Sequence, residues 1–235
     1  MKRLVLKIGG SLLFTNDKEI DYKKIVELSD IIKNDSHFET LVIICGGGQL
    51  ARQYINAARA LNGNEALCDI FGIEISRINS KLLITAFKNL AYPQVPKSMD
   101  ELSIAQLSGK IIVMGGLQPG QSTTSVALEV AEYINADQVI ILTNVDGIYD
   151  KDPKKYKDAK LFDKISYEEL QDIILKSSGD NQAAAGEYRI FDTVSLQLLK
   201  RSKLNLLVMS GANLNNFKKF WDGKSKYIGT AISNQ

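Results

Sequence analysis

Residues 111–124, IIVMGGLQPGQSTT, bring together the residue types needed to hold an anion. An apolar run of β type, Ile111-Ile112-Val113-Met114, ends in Gly115-Gly116. Pro119-Gly120 and a hydroxyl cluster, Ser122 to Ser125, follow. Val126, Val130 and Ile134 then recur at helical spacing. A strand, a glycine turn and a hydroxyl-rich helix start make an anion seat, because free backbone N–H groups and the positive end of the helix dipole converge there. The first acid in the helix is Glu129, so its first turn is left open to an incoming anion. Gly115 and Gly120 have nearly the spacing of a P-loop, but Gln121 stands where a P-loop has lysine. Positive charge must therefore come from elsewhere in the chain. The bland alternative is an ordinary strand-to-helix turn.

Three further turns have related designs. Residues 4–8 read as a buried strand that runs into Gly9-Gly10-Ser11, and Lys7 lies inside it, where lysine is unusual. A snorkelling or edge lysine is the plain reading; a functional charge is the reading its place before Gly-Gly favours. Residues 41–45 run into Gly46-Gly47-Gly48 and a helix over 49–61, with Arg52 in its first turn, where a cation opposes the dipole unless an anion binds. Residues 138–143 run into Asn144-Val145-Asp146-Gly147. Several N–H-rich turns, one strand lysine and no covalent nucleophile fit phosphoryl transfer, which needs positioning and charge neutralisation above all. Lys7 would lie over the transferred group. Asp146 would orient that lysine or a magnesium ion, or be a plain turn aspartate. Tyr149 would lie against a base or simply pack. His37, the sole histidine, falls in a loop away from every glycine turn, which speaks against histidine triads and histidine metal sites.

These turns need a scaffold that delivers them to one edge. Helices are expected over 21–33, 49–61, 68–87, 101–107, 126–134, 166–175, 192–201 and 213–222, with Gly63 and Gly223 as stops. Strands are expected over 4–8, 41–45, 111–114, 138–143 and 204–209, with a short one over 91–95 and an edge strand over 227–232. Ser166 and Glu169 form a capping-box pattern. Asp69, Arg77 and Asn79 read mostly as ordinary surface residues of their helix. Residues 177–186 read as a mobile loop. Alternating strands and helices predict right-handed βαβ units, with ligands beyond the carboxyl ends of the strands. The expected fold is α/β: a single domain over 1–235, a three-layer αβα sandwich around a mainly parallel sheet. With 235 residues, the chain can bury a substantial core. A net charge of +2 gives no reason to expect nucleic-acid binding. No apolar run approaches the ~20 residues that span a bilayer. Cys45 and Cys68 form no CxxC pair and read as reduced and buried.

The motifs LKIGGS, CGGGQLARQYI, DIFGIEISRINSKLL, GGLQPGQSTTSVA, TNVDGIYDKDP and RSKLNLLVMSG together resemble the amino acid kinase superfamily, and within it the archaeal type of uridylate kinase. The resemblance covers nearly the whole chain. It implies transfer of the γ-phosphate of ATP to UMP with Mg2+, in a cytoplasmic homohexamer built as a trimer of dimers. By matching position it implies that Gly9, Gly10, Gly48 and Arg52 meet the ATP phosphates, and that Thr143, Tyr149 and Asp152 hold its nucleoside. It assigns Gly47, Asp69 and the run Leu117, Gln118, Pro119, Gly120, Gln121, Ser122 and Thr123 to UMP. Lys7 matches a lysine that faces the transferred phosphoryl group, and no protein metal ligand is assigned. The chain departs from the pattern at Phe191-Asp192-Thr193, where Asp-Pro is expected, and at Leu117, where some relatives carry a polar or aromatic residue. No histidine follows the second glycine turn, which argues against isopentenyl phosphate as acceptor. Another small-molecule kinase of this fold, or a protein that stores an oxyanion, remains as an alternative.

Overall fold

The computed structural model describes residues 2–34, 38–151, 153, 155–178, 190–224 and 226–234. His37, Asp152 and most of the loop expected over 177–186 lie outside them.

Seven strands form one sheet in the order β3-β2-β1-β4-β6-β7-β5. They are β1 (Lys2–Ile8), β2 (Phe38–Cys45), β3 (Ile112–Met114), β4 (Gln138–Thr143), β5 (Lys164–Ile165), β6 (Leu206–Ser210) and β7 (Thr230–Ile232). β1, β2, β3, β4 and β6 run parallel, so all their carboxyl ends share one rim. β1, β2, β4 and β6 are buried on both faces towards that rim and largely apolar, as a parallel sheet covered by helices requires. The chain winds outward from β1 to β2 and β3, then returns to place β4 on the other side of β1. That reversal opens a crevice beyond the carboxyl ends of β1 and β4.

Helices cover both faces. They are α1 (Tyr22–Lys33), α2 (Gly48–Ala60), α3 (Glu65–Phe87), α4 (Met99–Gln106), α5 (Thr123–Tyr133), α6 (Tyr167–Ser178), α7 (Thr193–Ser202) and α8 (Leu214–Trp221). α1, α8 and the end of α3 pack on Leu4, Leu6 and Ile8 of β1. α4, α5, α6 and α7 pack on the opposite face, with Val5, Val139 and Ile141. α2 lies outside, against α3, through Ala51, Ile55, Cys68 and Ile75. The three-layer α/β arrangement is thus as expected, and both cysteines are free and buried.

Capping accounts for most helix boundaries. Asp21, Asn64, Ser98 and Ser122 each accept an N–H of the first turn of α1, α3, α4 and α5. Ser166 and Glu169 exchange two bonds at 3.2 and 2.7 Å ahead of α6. α2 stops at Ala60 with Asn62 in the left-handed region, while the Gly63 N–H returns to the Ala58 carbonyl at 2.9 Å.

Two strand expectations need correction. Residues 91–95 form no strand: Ala91 makes a single bridge to Ile111, and Pro93 and Pro96 lack the N–H groups to extend it. The last strand is confined to Thr230–Ile232 and is not an edge: it lies between β6, antiparallel, and β5, parallel. The edge belongs to β5, two residues long and too short for any periodicity to betray.

Asp192 keeps its place without the following proline. Its carboxylate accepts the Ser195 N–H at 2.7 Å, and its own N–H donates to the Ser195 hydroxyl at 2.8 Å. The Ser125 hydroxyl of α5 donates to the same carboxylate at 3.0 Å, fixing α7 to α5. Replacing Asp192 with alanine removes the carboxylate that accepts from Ser195 and Ser125, so unfolding in urea is expected to cost about 1–2 kcal/mol less than in the parent protein. A loss below about 0.5 kcal/mol would contradict this account of the α5–α7 junction.

Candidate active site

The rim is built from five turns, one after each of β1, β2, β3, β4 and β6. The first two touch through bare backbone. A Cβ on Gly10 would overlap the Gly48 nitrogen and the Gly46 carbonyl, and a Cβ on Gly48 would stand 2.5 Å from the Gly10 oxygen. Gly48 also has φ +67°, a conformation that favours glycine. Gly9 donates its N–H to the Leu142 carbonyl of β4 at 2.9 Å, and Gly211 donates to the Thr143 carbonyl at 2.7 Å. Gly9, Gly10, Gly47, Gly48 and Thr143 are therefore brought together around the crevice. The fifth turn, Ser210-Gly211, escaped the sequence reading; the apolar run of β6 followed by Ser-Gly was its signal.

Lys7 stands on β1 between Ile44 of β2 and Ile141 of β4. It alternates with Leu6 and Ile8, so it shares the Val5 face that α5 crosses. It is 9% exposed and has neither a hydrogen bond nor an ion pair among the described residues. Burial pushes its ammonium down to about 8, against a small opposing pull from Cys45. The same burial pushes the Cys45 thiol up to about 12, so it stays protonated. A nearly buried cation without a counter-charge is costly unless an anion joins it.

The second cluster gathers on α3. Asp69 accepts the Gly120 N–H at 2.8 Å, which ties the acceptor-side residues assigned from sequence into one loop. Gln118, Pro119 and Gly120 are exposed at its tip, and Leu117 is half-buried. Ser122 caps α5 by accepting from the Ser125 N–H at 3.1 Å, and Thr123 opens that helix. The Gln121 amide donates to Glu129 at 3.0 Å. No acid lies in the first turn of α5 or of α2. Arg52 is the fifth residue of α2, beyond the first turn where the sequence reading put it. It is half-buried and has no hydrogen bond or ion pair among the described residues.

The reading of Arg77 and Asn79 as surface residues is corrected. Asn79 is buried and donates to the Gly46 and Gly47 carbonyls at 2.9 and 3.2 Å. Arg77 donates to the Gly116 and Leu117 carbonyls at 3.1 and 3.3 Å. The buried Ser76 hydroxyl accepts the Gly116 N–H at 2.7 Å. Their i, i+1 and i+3 spacing along an otherwise mixed helix gave no sequence signal.

The third cluster follows β4. Asp146 is exposed and accepts from the Tyr149 hydroxyl at 3.4 Å. Burial, then Asp146, raises that hydroxyl above its ordinary value. Among the described residues Asp146 makes no direct ion pair with Lys7. Ile148 donates its N–H to the Thr230 hydroxyl at 2.8 Å, holding this turn to β7. Among the described residues no group of three or more His, Cys, Asp or Glu side chains could hold a metal, and no helix is long and apolar enough to cross a membrane.

A doubly covered, mainly parallel sheet whose rim concentrates backbone N–H groups near a lysine without a partner among the described residues is the architecture of an α/β protein suited to phosphate groups. The sequence pattern of the amino acid kinase family matches residues 2–210, and the chain belongs to that family. A uridylate kinase of Methanobrevibacter smithii is 43% identical over 230 residues, 98% of each chain. One of Sulfolobus acidocaldarius is 38% identical over 233 residues, again 98% of each. The crystal structure of uridylate kinase from Archaeoglobus fulgidus matches with a TM-score of 0.83 at 36% identity, covering 99% of this chain and all of that one.

The electrostatics of Lys7 carry a pH signature. In the unfolded chain its proton is held to about the ordinary 10.5, in the folded chain only to about 8. Between those values the unfolded state binds more protons, so stability rises with pH; below pH 8 the folded protein bears the full cost, on the order of 3 kcal/mol. Without ligand, a Lys7→Met variant is expected to melt higher than the parent at pH 7, and the gap should close towards pH 10.5. An equal or lower melting temperature at pH 7 would show that Lys7 already has a counter-charge.

Proposed function

We propose that the chain is a uridylate kinase, transferring the γ-phosphoryl group of ATP to UMP to give UDP and ADP. The observation that carries the reading is Lys7: a nearly buried lysine without a partner among the described residues, at the junction of two glycine turns, on the face of the sheet that the open N-terminus of α5 also covers. The names of the relatives given above support UMP as the acceptor; ATP as donor is what the resemblance to the family implies.

In this reading Gly9, Gly10, Gly48 and Arg52 hold the ATP phosphates, and Thr143, Tyr149 and Asp152 hold its nucleoside. Gly47, Asp69 and residues 117–123 hold UMP. The two phosphate groups then meet over β1, and Lys7 supplies the positive charge that Gln121 cannot. Its burial makes that charge effective, since fixed charges act more strongly where water is excluded. The UMP phosphate oxygen attacks the γ-phosphorus in line and the bond to the β-phosphate oxygen breaks. No protein group needs to form a covalent bond.

The donor set favours Mg2+ arriving on ATP, because magnesium keeps most of its shell as phosphate and water oxygens. Bound with ATP it would supply positive charge to the phosphates, and Asp146, exposed on the rim, would be the carboxylate to orient its water shell. We place the protein in the cytoplasm as a homohexamer, a trimer of dimers, for which light scattering on the purified protein should return six times the 26.0 kDa chain mass.

A coupled assay with ATP, Mg2+ and each of UMP, CMP and AMP tests the reading. UMP is expected to be turned over well above the other two; equal or absent turnover across all three overturns it. Lys7→Ala is expected to bind both nucleotides yet lose about a hundredfold or more in kcat. Unchanged kcat would take Lys7 out of the mechanism.

A further inference from the structure

The geometry points to Arg77 and Asn79 as positioning residues that set the two phosphate-binding loops for catalysis, without touching either substrate. In a trans peptide the carbonyl and the N–H point in opposite directions, and the described chain contains no cis bond. Asn79 draws the Gly46 and Gly47 carbonyls towards α3. The N–H groups sharing those peptide planes, of Gly47 and Gly48, are thereby turned away from it. Arg77 draws the Gly116 and Leu117 carbonyls towards α3 in the same way, which turns the N–H groups of Leu117 and Gln118 outward. None of these four N–H groups has another acceptor among the described residues.

The two side chains are themselves fixed. Arg77 spends its remaining nitrogen on Glu74 at 2.6 Å, one turn back on the same helix. Asn79 is 1% exposed, and both its bonds are donated by one amide nitrogen. Gly116 is held from the other side as well, since its N–H donates to Ser76 at 2.7 Å. One rigid helix thus grips the loop after β2 and the loop after β3, two residues apart along its sequence. The separation of the two sets of free N–H groups is then set by α3 and not by either loop alone.

This inference rests on the uridylate kinase reading for the identity of its substrates. Arg77→Lys keeps the charge but loses the fork that spans two carbonyls. With ATP and UMP it is expected to raise the KM for UMP about tenfold while the KM for ATP stays within about twofold. Asn79→Ala frees the loop shared by both phosphates and is expected to lower kcat about tenfold or more. A purely structural role would instead lower melting temperature and active fraction with both KM values unchanged, and that result overturns the inference. If Asn79→Ala does not fold, the KM split in Arg77→Lys decides alone. The parent protein in the same assay separates the two failures: no turnover of UMP there overturns the substrate reading, whereas normal parent turnover with no split in Arg77→Lys overturns the positioning role.

Discussion

The contact of Gly10 with residues 46–48 is the constraint on which the rest of the site depends. β1 and β2 are adjacent and parallel, so the chain leaves both strands at the same rim and at neighbouring positions. Any side chain on Gly10 would fill the space that the second turn occupies. Backbone against backbone brings two N–H-bearing segments closer than side-chain-bearing loops could come. Two polyanions that must meet end to end need such a short separation. It is available beside the switch between β1 and β4, where no connection crosses the opening.

Electrostatics follows from that geometry. Bringing two phosphate groups together over one strand requires positive charge that water does not screen. Helix dipoles contribute at the starts of α2 and α5, where the first turns carry no acids. Lys7 contributes a full charge from within the sheet. Its cost to the ligand-free protein and its use to the liganded one have the same origin: desolvation weakens the charged state when it is alone and strengthens its field when an anion is near. Arg52, also without a partner among the described residues, adds a second cation on α2.

Sequence made the strands legible because they are nearly continuous apolar runs that end in glycine, and a parallel sheet leaves few other ways to read such runs. Lys7 stood out for the same reason, as a charge inside such a run. Asp192 and Ser166 were legible through local capping chemistry. β5 was not, because two residues have no period, and the place of β7 was not, because strand order depends on crossovers that no local pattern encodes. The partner of Asp146 was not legible either: a turn aspartate can face a lysine, a metal's water shell or its own turn, and the hydrogen bond it accepts here comes from Tyr149.

The polar residues of α3 were the least legible part, and the reason is physical. A helix that packs against α2, the sheet and two loops is buried on several sides, so its apolar residues do not form a single stripe. A polar residue on such a helix looks like a solvent-facing one in sequence, although Asn79 is buried and gives the Gly46 and Gly47 carbonyls their side-chain amide donor. The need is visible only when both partners are in place: glycine turns expose more backbone than other turns, and their carbonyls must be satisfied somewhere if their N–H groups are to stay free. Chains that place several glycine turns on one rim therefore require a neighbouring element with side-chain donors. In this fold α3, running beneath both the 46–48 and the 116–120 turns, is the element that meets that requirement.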